Sequence, residues 1–129
     1  MGAGEVMLRR LAADQRGVAA IEFAIVGPIL VLFLVLVLDA SIYSWKLSTL
    51  KHAVFAAARC GAISGPSCGT SSAVQQYSAA QAVGLNAAAS AFTVGTQSCG
   101  YAVSGTVTYQ SVLGTFSPFG GNMTASACY

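Results

Sequence analysis

RGVAAIEFAIVGPILVLFLVLVL, residues 16–38, decides how the rest of this 129-residue chain is read. From Val18 to Leu38 it holds 21 residues with a single charge, Glu22. At 1.5 Å per residue, a helix over that run is ~30 Å long, the thickness of a bilayer's hydrocarbon core. The run is therefore expected to cross a membrane once. Glu22 is unfavourable in such a span, by ~2.5–3.5 kcal/mol if it stood at mid-bilayer, so it calls for a compensating partner. Arg9, Arg10 and Arg16 precede the run, against Glu5 and Asp14. That basic excess puts the N-terminus in the cytoplasm and the rest of the chain outside. Ordinary signal cleavage at the end of the run needs small residues, whereas the chain has Leu38, Asp39 and Ala40 there.

The segment RRLAADQRGVAAIEFAIVGPILVLFLVLVLDASIYSW, residues 9–45, resembles the N-terminal region of TadE-like proteins. These are the pseudopilins or minor pilins of Tad (Flp-type) pilus systems, within the wider type IV pilin class. The resemblance implies that residues 1–17 are a basic leader, removed by a prepilin peptidase that cuts between Gly17 and Val18. Glu22 then stands at the fifth mature position, where relatives carry a glutamate used in peptidase recognition and assembly. Gly27, Pro28 and Asp39 also match the family's pattern, and the likeness fades after about Gly61. It further implies a pilin-like fold and an inner-membrane location. The partners it implies are the peptidase, other pilin or pseudopilin subunits and the pilus assembly machinery.

Composition bounds the reading independently. Hydrophobic residues make up 55% of the chain and charged ones 8%, a membrane-associated balance with room for one small domain. No Lys, Arg, Asp or Glu occurs from Cys60 to Tyr129. A surface so poor in charge does little to repel neighbours and suits packing in an assembly.

Past the apolar run, Leu36, Ala40, Tyr43, Leu47, Leu50, Val54 and Ala57 recur at spacings of four and three, one helical stripe. One helix of ~60 Å is expected from Val18 to Arg59, with a kink or local melting near Gly27 caused by Pro28, and ended by Gly61 and the Gly65–Pro66 turn. A second helix is expected from Ser72 to Ala91, since Ser72 and Gln75 have capping-box spacing. Tyr101, Val103, Val107 and Tyr109 alternate with small polar residues, as do Met123, Ala125 and Ala127. They predict a β-hairpin across a loop holding Pro118, Gly120 and Gly121. The expected fold is α+β, with a leader (1–17), a transmembrane helix (18–38) and a small outer domain (39–129) of helix and hairpin.

Four cysteines in a small outer domain favour disulfides. Cys60 with Cys68, and Cys99 with Cys128, is the preferred pairing. Strand alternation asks for Val103 opposite Ala125, and a bulge at Gly100 would reconcile that register with a Cys99–Cys128 bond.

No catalytic constellation is legible. After Arg59 the titratable side chains are cysteine and tyrosine alone, too few for acid–base or nucleophilic chemistry. His52, the single histidine, reads as a helix-surface residue, and there is no Cys-x-x-Cys pair to hold zinc. The glycines at 61, 65 and 69 lack the lysine of a phosphate loop, and the few basic residues do not make a nucleic-acid surface. No cofactor, metal, nucleic acid or small-molecule substrate is expected. The function expected is structural: a pseudopilin or minor pilin subunit. The alternative is an uncleaved, signal-anchored binding protein of the periplasm or cell surface.

Overall fold

The computed structural model describes Gly2, residues 4–7 and residues 16–129. Most of the expected leader, Arg9, Arg10 and Asp14 included, lies outside the described residues. The chain divides into two compact units, Met1–Val37 and Leu38–Tyr129. Helix α1 runs Arg16–Ile63 and α2 runs Ser71–Gln81, followed by the strands β1 (Phe92–Gln97), β2 (Gly100–Tyr109) and β3 (Gly121–Cys128). The three strands form one antiparallel sheet in the order β1-β2-β3.

In the first unit α1 is helical through both Gly27 and Pro28, so the expected melting there does not occur. In the second unit α1 packs with the expected stripe. Leu50, Val54 and Ala57 are buried, with Ala53 and Ala58 beside them, while Tyr43 and Leu47 border the core. Phe92, Leu50, Val54, Val74 and Val103 are each under 2% exposed, and burial of such a side chain contributes about 1.5–3 kcal/mol.

The helix does not stop at Gly61. It continues to Ile63, where Ser64 takes φ 51°, Ser64 N–H donates to Gly61 O (3.2 Å) and Gly65 N–H to Cys60 O (3.4 Å). This is a Schellman cap with serine in the left-handed position. Gly61 instead lets sheet and helix meet, because a Cβ there would collide with the Tyr101 ring. Gly105 does the same for β2, since a Cβ would stand 2.7 Å from Phe92 Cε1 and 3.2 Å from Leu50 Cδ1.

The second helix is shorter than expected. Thr70, not Ser72, is its N-cap, with Oγ1 accepting from Ala73 N–H at 3.2 Å. It ends at Gln81 rather than near Ala91, because Gly84 (φ 78°) and Asn86 (φ 50°) turn the chain through left-handed backbone. Ala82 and Leu85 are thereby buried in the core. The chain then enters β1, a strand absent from the sequence expectation, which makes the hairpin a three-stranded sheet.

β2 and β3 pair as foreseen, but in another register. Val103 faces Ala127 rather than Ala125, and the pairing runs unbroken from Ala102↔Cys128 to Tyr109↔Gly121. No bulge at Gly100 is needed, because Cys99 stands in the two-residue turn between Gln97 and Gly100 rather than opposite Cys128. From there it bonds Cys128 across a Cα separation of 6.2 Å, while Cys60 bonds Cys68 at 5.8 Å. The bridges close spans of 8 and 29 residues, for which chain entropy predicts about 2.5 and about 3.6 kcal/mol. Thiol labelling of the unfolded, unreduced protein is therefore expected to find no free cysteine. Loss of Cys99–Cys128 should destabilise more than loss of Cys60–Cys68 in denaturant titrations; the reverse order would refute this ranking.

Candidate functional site: the apolar segment and the buried Asp39 carboxylate

Gly17 and Val18 lie in the first turn of α1, where backbone N–H groups have no intrahelical partner. Both are exposed, and a Cβ on Gly17 would meet nothing within 4 Å. Glu22 follows one turn later, exposed, with no hydrogen bond or ion pair to another described residue. Around it stand Ile21 (63% exposed) and Phe23 (78%). Apart from the half-buried Val35 and Leu36, the larger apolar side chains stay exposed through Leu38, and none of the most hydrophobic 18-residue window is buried. A helix this long and apolar is able to cross a membrane as a single-pass anchor.

Asp39 is the opposite case. It is 1% exposed and every lone-pair direction is used. Oδ1 accepts from Tyr109 Oη at 2.7 Å and from Val112 N–H at 3.2 Å, and Oδ2 accepts from Ser111 Oγ at 2.6 Å and Ser117 Oγ at 2.5 Å. The two serines are themselves fixed by their own turns, Ser111 Oγ accepting from Leu113 N–H and Ser117 Oγ from Phe119 N–H. The carboxylate thus gathers both ends of the 110–120 loop onto α1.

One helical face completes the arrangement. Tyr43, four residues beyond Asp39, meets the Tyr109 ring edge-on at 5.4 Å and Phe119 at 5.5 Å. Lys46, one turn further, holds its Nζ 5.2 Å from the Tyr109 ring centroid, a cation–π contact of about 0.5–1 kcal/mol. The donated hydrogen bonds, Ser111 first, then Ser117 and Tyr109, hold the Asp39 carboxyl far below the ordinary carboxylate range despite burial. Burial, then the hydrogen bond to Asp39 and its negative charge, push the Tyr109 phenol up to about 12.

Asp39 was legible in the sequence as part of the TadE-like pattern, but its partners were not. The available signal was weak: a lone acid in an otherwise apolar stretch, and two serines in the 110–120 loop more than 70 residues away. His52 lies exposed on α1 beside Ser48, Lys51 and Phe55, facing Thr124–Ala127. Among the described residues no three His, Cys, Asp or Glu gather to hold a metal, and all four cysteines are bonded. What the described groups offer is association: an apolar helix carrying one exposed carboxylate, and a small unit locked to its own helix.

No curated protein and no solved structure matches this chain. The family model described as TadE-like protein matches residues 17–59. The matched stretch opens at Gly17, takes in Glu22 and Asp39 and ends on Arg59. TadE-like proteins are pilus components rather than known enzymes. Over residues 17–59, the stretch that makes up most of α1, the chain is TadE-like.

Proposed function

We propose that this protein is a pseudopilin or minor pilin subunit of a Tad (Flp-type) pilus or its assembly complex, made as a precursor and cut by a prepilin peptidase between Gly17 and Val18. The observation that carries this reading is the coincidence of the family match with an exposed apolar helix bearing one carboxylate, Glu22, that has no partner among the described residues and stands five residues after Gly17. The protein sits in the inner membrane with residues 1–17 in the cytoplasm and the unit from Leu38 onward outside, as the leader's arginines favour. An oxidising compartment suits the two disulfides.

The scissile bond stands at a helix end, where opening a turn breaks few hydrogen bonds. After cleavage the apolar helix is the element that passes from lipid into contact with other pilin subunits. Glu22, expensive in lipid, gains the terminal ammonium of a neighbouring subunit as its partner, and the pairing sets the register between the two. The surface of residues 60–129, without a formal charge, packs against neighbours at little electrostatic cost.

Intact-mass measurement of the protein extracted from membranes of a strain with its own peptidase is expected to give a chain beginning at Val18. A mature protein that still carries Arg9, Arg10 and Gly17 would overturn the processing step and favour an uncleaved anchor.

A further inference from the structure

The unit Leu38–Tyr129 exposes side-chain charge of one sign. Its cations, Lys46, Lys51 and Arg59, all stand on α1, and its single acid, Asp39, is buried and fully hydrogen-bonded. Lys51 and its neighbours border β3. Ser48, Lys51, His52 and Phe55 form one wall of a shallow groove whose other wall is Thr124–Ala127. Toward its end the Phe55 ring meets Tyr129 edge-on at 6.2 Å, and the Arg59 guanidinium lies 6.0 Å from the Tyr129 ring. Both aromatic rings remain half exposed, Phe55 at 53% and Tyr129 at 50%.

β3 is also the open edge of the sheet. The β1 side is flanked by α2, whose Gln75 Nε2 donates to Phe92 O at 2.8 Å, whereas β3 pairs with β2 alone. Tyr101 and Tyr129 exchange both backbone hydrogen bonds. In an antiparallel ladder the bonded pairs alternate, so Val103↔Ala127 and Gly105↔Ala125 are bonded too. Thr124 and Ser126 therefore turn their N–H and C=O groups outward. Edges of this kind are ordinarily blunted by lysine, proline or a bulge. Gly121–Cys128 contains neither residue, and its pairing has no bulge.

We propose that the β3 edge and the cationic flank of α1 form a docking site for an extended, acidic segment of another protein, which adds beside β3 as a fourth strand. Backbone hydrogen bonds to Thr124 and Ser126 supply the pairing, Lys51 and Arg59 select for acidic side chains, and Phe55 with Tyr129 offers an apolar anchor. Charge argues against a second copy as the occupant, because this unit would bring only further cations to the groove. Such docking requires neither cleavage after Gly17 nor incorporation into a pilus.

The test uses the full chain in nanodiscs of zwitterionic lipid and fluorescence anisotropy. Three labelled peptides of about eight residues, the length of β3, are compared: alternating Glu and Val, alternating Lys and Val, and the Glu–Val peptide N-methylated on every residue, which blocks both of its edges. The Glu–Val peptide is expected to bind at least about tenfold more tightly than the other two and to weaken as salt rises. Ser126→Pro, which removes an outward N–H from an edge strand where proline is tolerated, should weaken it at least about tenfold. Lys51→Glu combined with Arg59→Glu should turn the preference toward the Lys–Val peptide. Equal binding of the N-methylated peptide overturns strand addition, and does so on the unaltered chain even if Ser126→Pro fails to fold. Indifference to the charge reversal, or self-association of the chain in place of peptide binding, overturns the acidic partner.

Discussion

Asp39→Ala is expected to lower the melting temperature of the Leu38–Tyr129 unit by on the order of 10 °C in detergent, read by circular dichroism. The substitution leaves the buried Tyr109 hydroxyl without its short acceptor and frees Ser111, Ser117 and Val112 N–H, so both ends of the 110–120 loop lose their tie to α1. A donor stranded in a buried place is penalised more than the lost bond was worth. Asp39→Asn should fall between the two, because its Oδ1 can still accept from Tyr109 and Val112 while its amide cannot accept from the serines.

The same cluster sets a pH window. Because the folded carboxyl titrates well below its unfolded value of ~3.9, its contribution is complete above that value and is lost as pH falls through it and further toward the folded value. Tyr109 has the opposite sign. With its pKa pushed up to about 12, against ~10 unfolded, its contribution is complete below pH ~10 and is lost as pH rises toward 12. Melting temperatures should therefore be flat between about pH 5 and 9 and fall on both sides. In Asp39→Asn the acid limb contributed by this carboxyl disappears. A wild-type protein as stable at pH 2.5 as at pH 7 would falsify the account of the acid side.

Glu22→Ala is expected to leave membrane insertion intact, since it removes the one unfavourable group of the apolar run, and cleavage after Gly17 largely intact, the assembly part of this residue's expected role outweighing the recognition part. Sheared-pilus yield should nevertheless fall at least about tenfold. In a packed assembly the carboxylate and a neighbour's terminal ammonium attract each other in a low dielectric, and alanine abolishes that register contact. Glu22→Asp keeps the charge on a shorter arm and should be milder. Mature-protein level and pilus yield must be read from the same cells. Normal yield at normal mature-protein level would show that this carboxylate is not an assembly contact.

The order in which these features became readable follows the range of the interactions behind them. The apolar run 18–38, the helical stripe through Leu50, Val54 and Ala57, and the alternation of β2 and β3 are periodicities within a few residues. Local spacing is enough to define such elements and their faces. The TadE-like likeness sits in that same local stretch, and the match to residues 17–59 coincides with it. β1 was missed because FTVGTQ points only Phe92 and Val94 inward before exposed residues take over. Local propensity carries the second helix too far, because the alanines of 82–91 favour helix. Burial of Ala82 and Leu85, with left-handed turns at Gly84 and Asn86, outweighed that preference.

Register lay beyond local reading for a related reason. Shifting β3 by two residues keeps every side chain on its face, so alternation alone accepts Val103 opposite either Ala125 or Ala127. The choice fell to the Tyr101–Tyr129 backbone pair and to the turn that carries Cys99. The sequence by itself determined where the apolar helix runs, which half of the chain is charged, and which residues of β2 and β3 face inward. Only the tertiary structure decided what surrounds Asp39, because its donors Tyr109, Ser111 and Ser117 come from 70 to 78 residues away. No periodicity encodes a meeting at that separation; closure of the fold around one buried charge creates it.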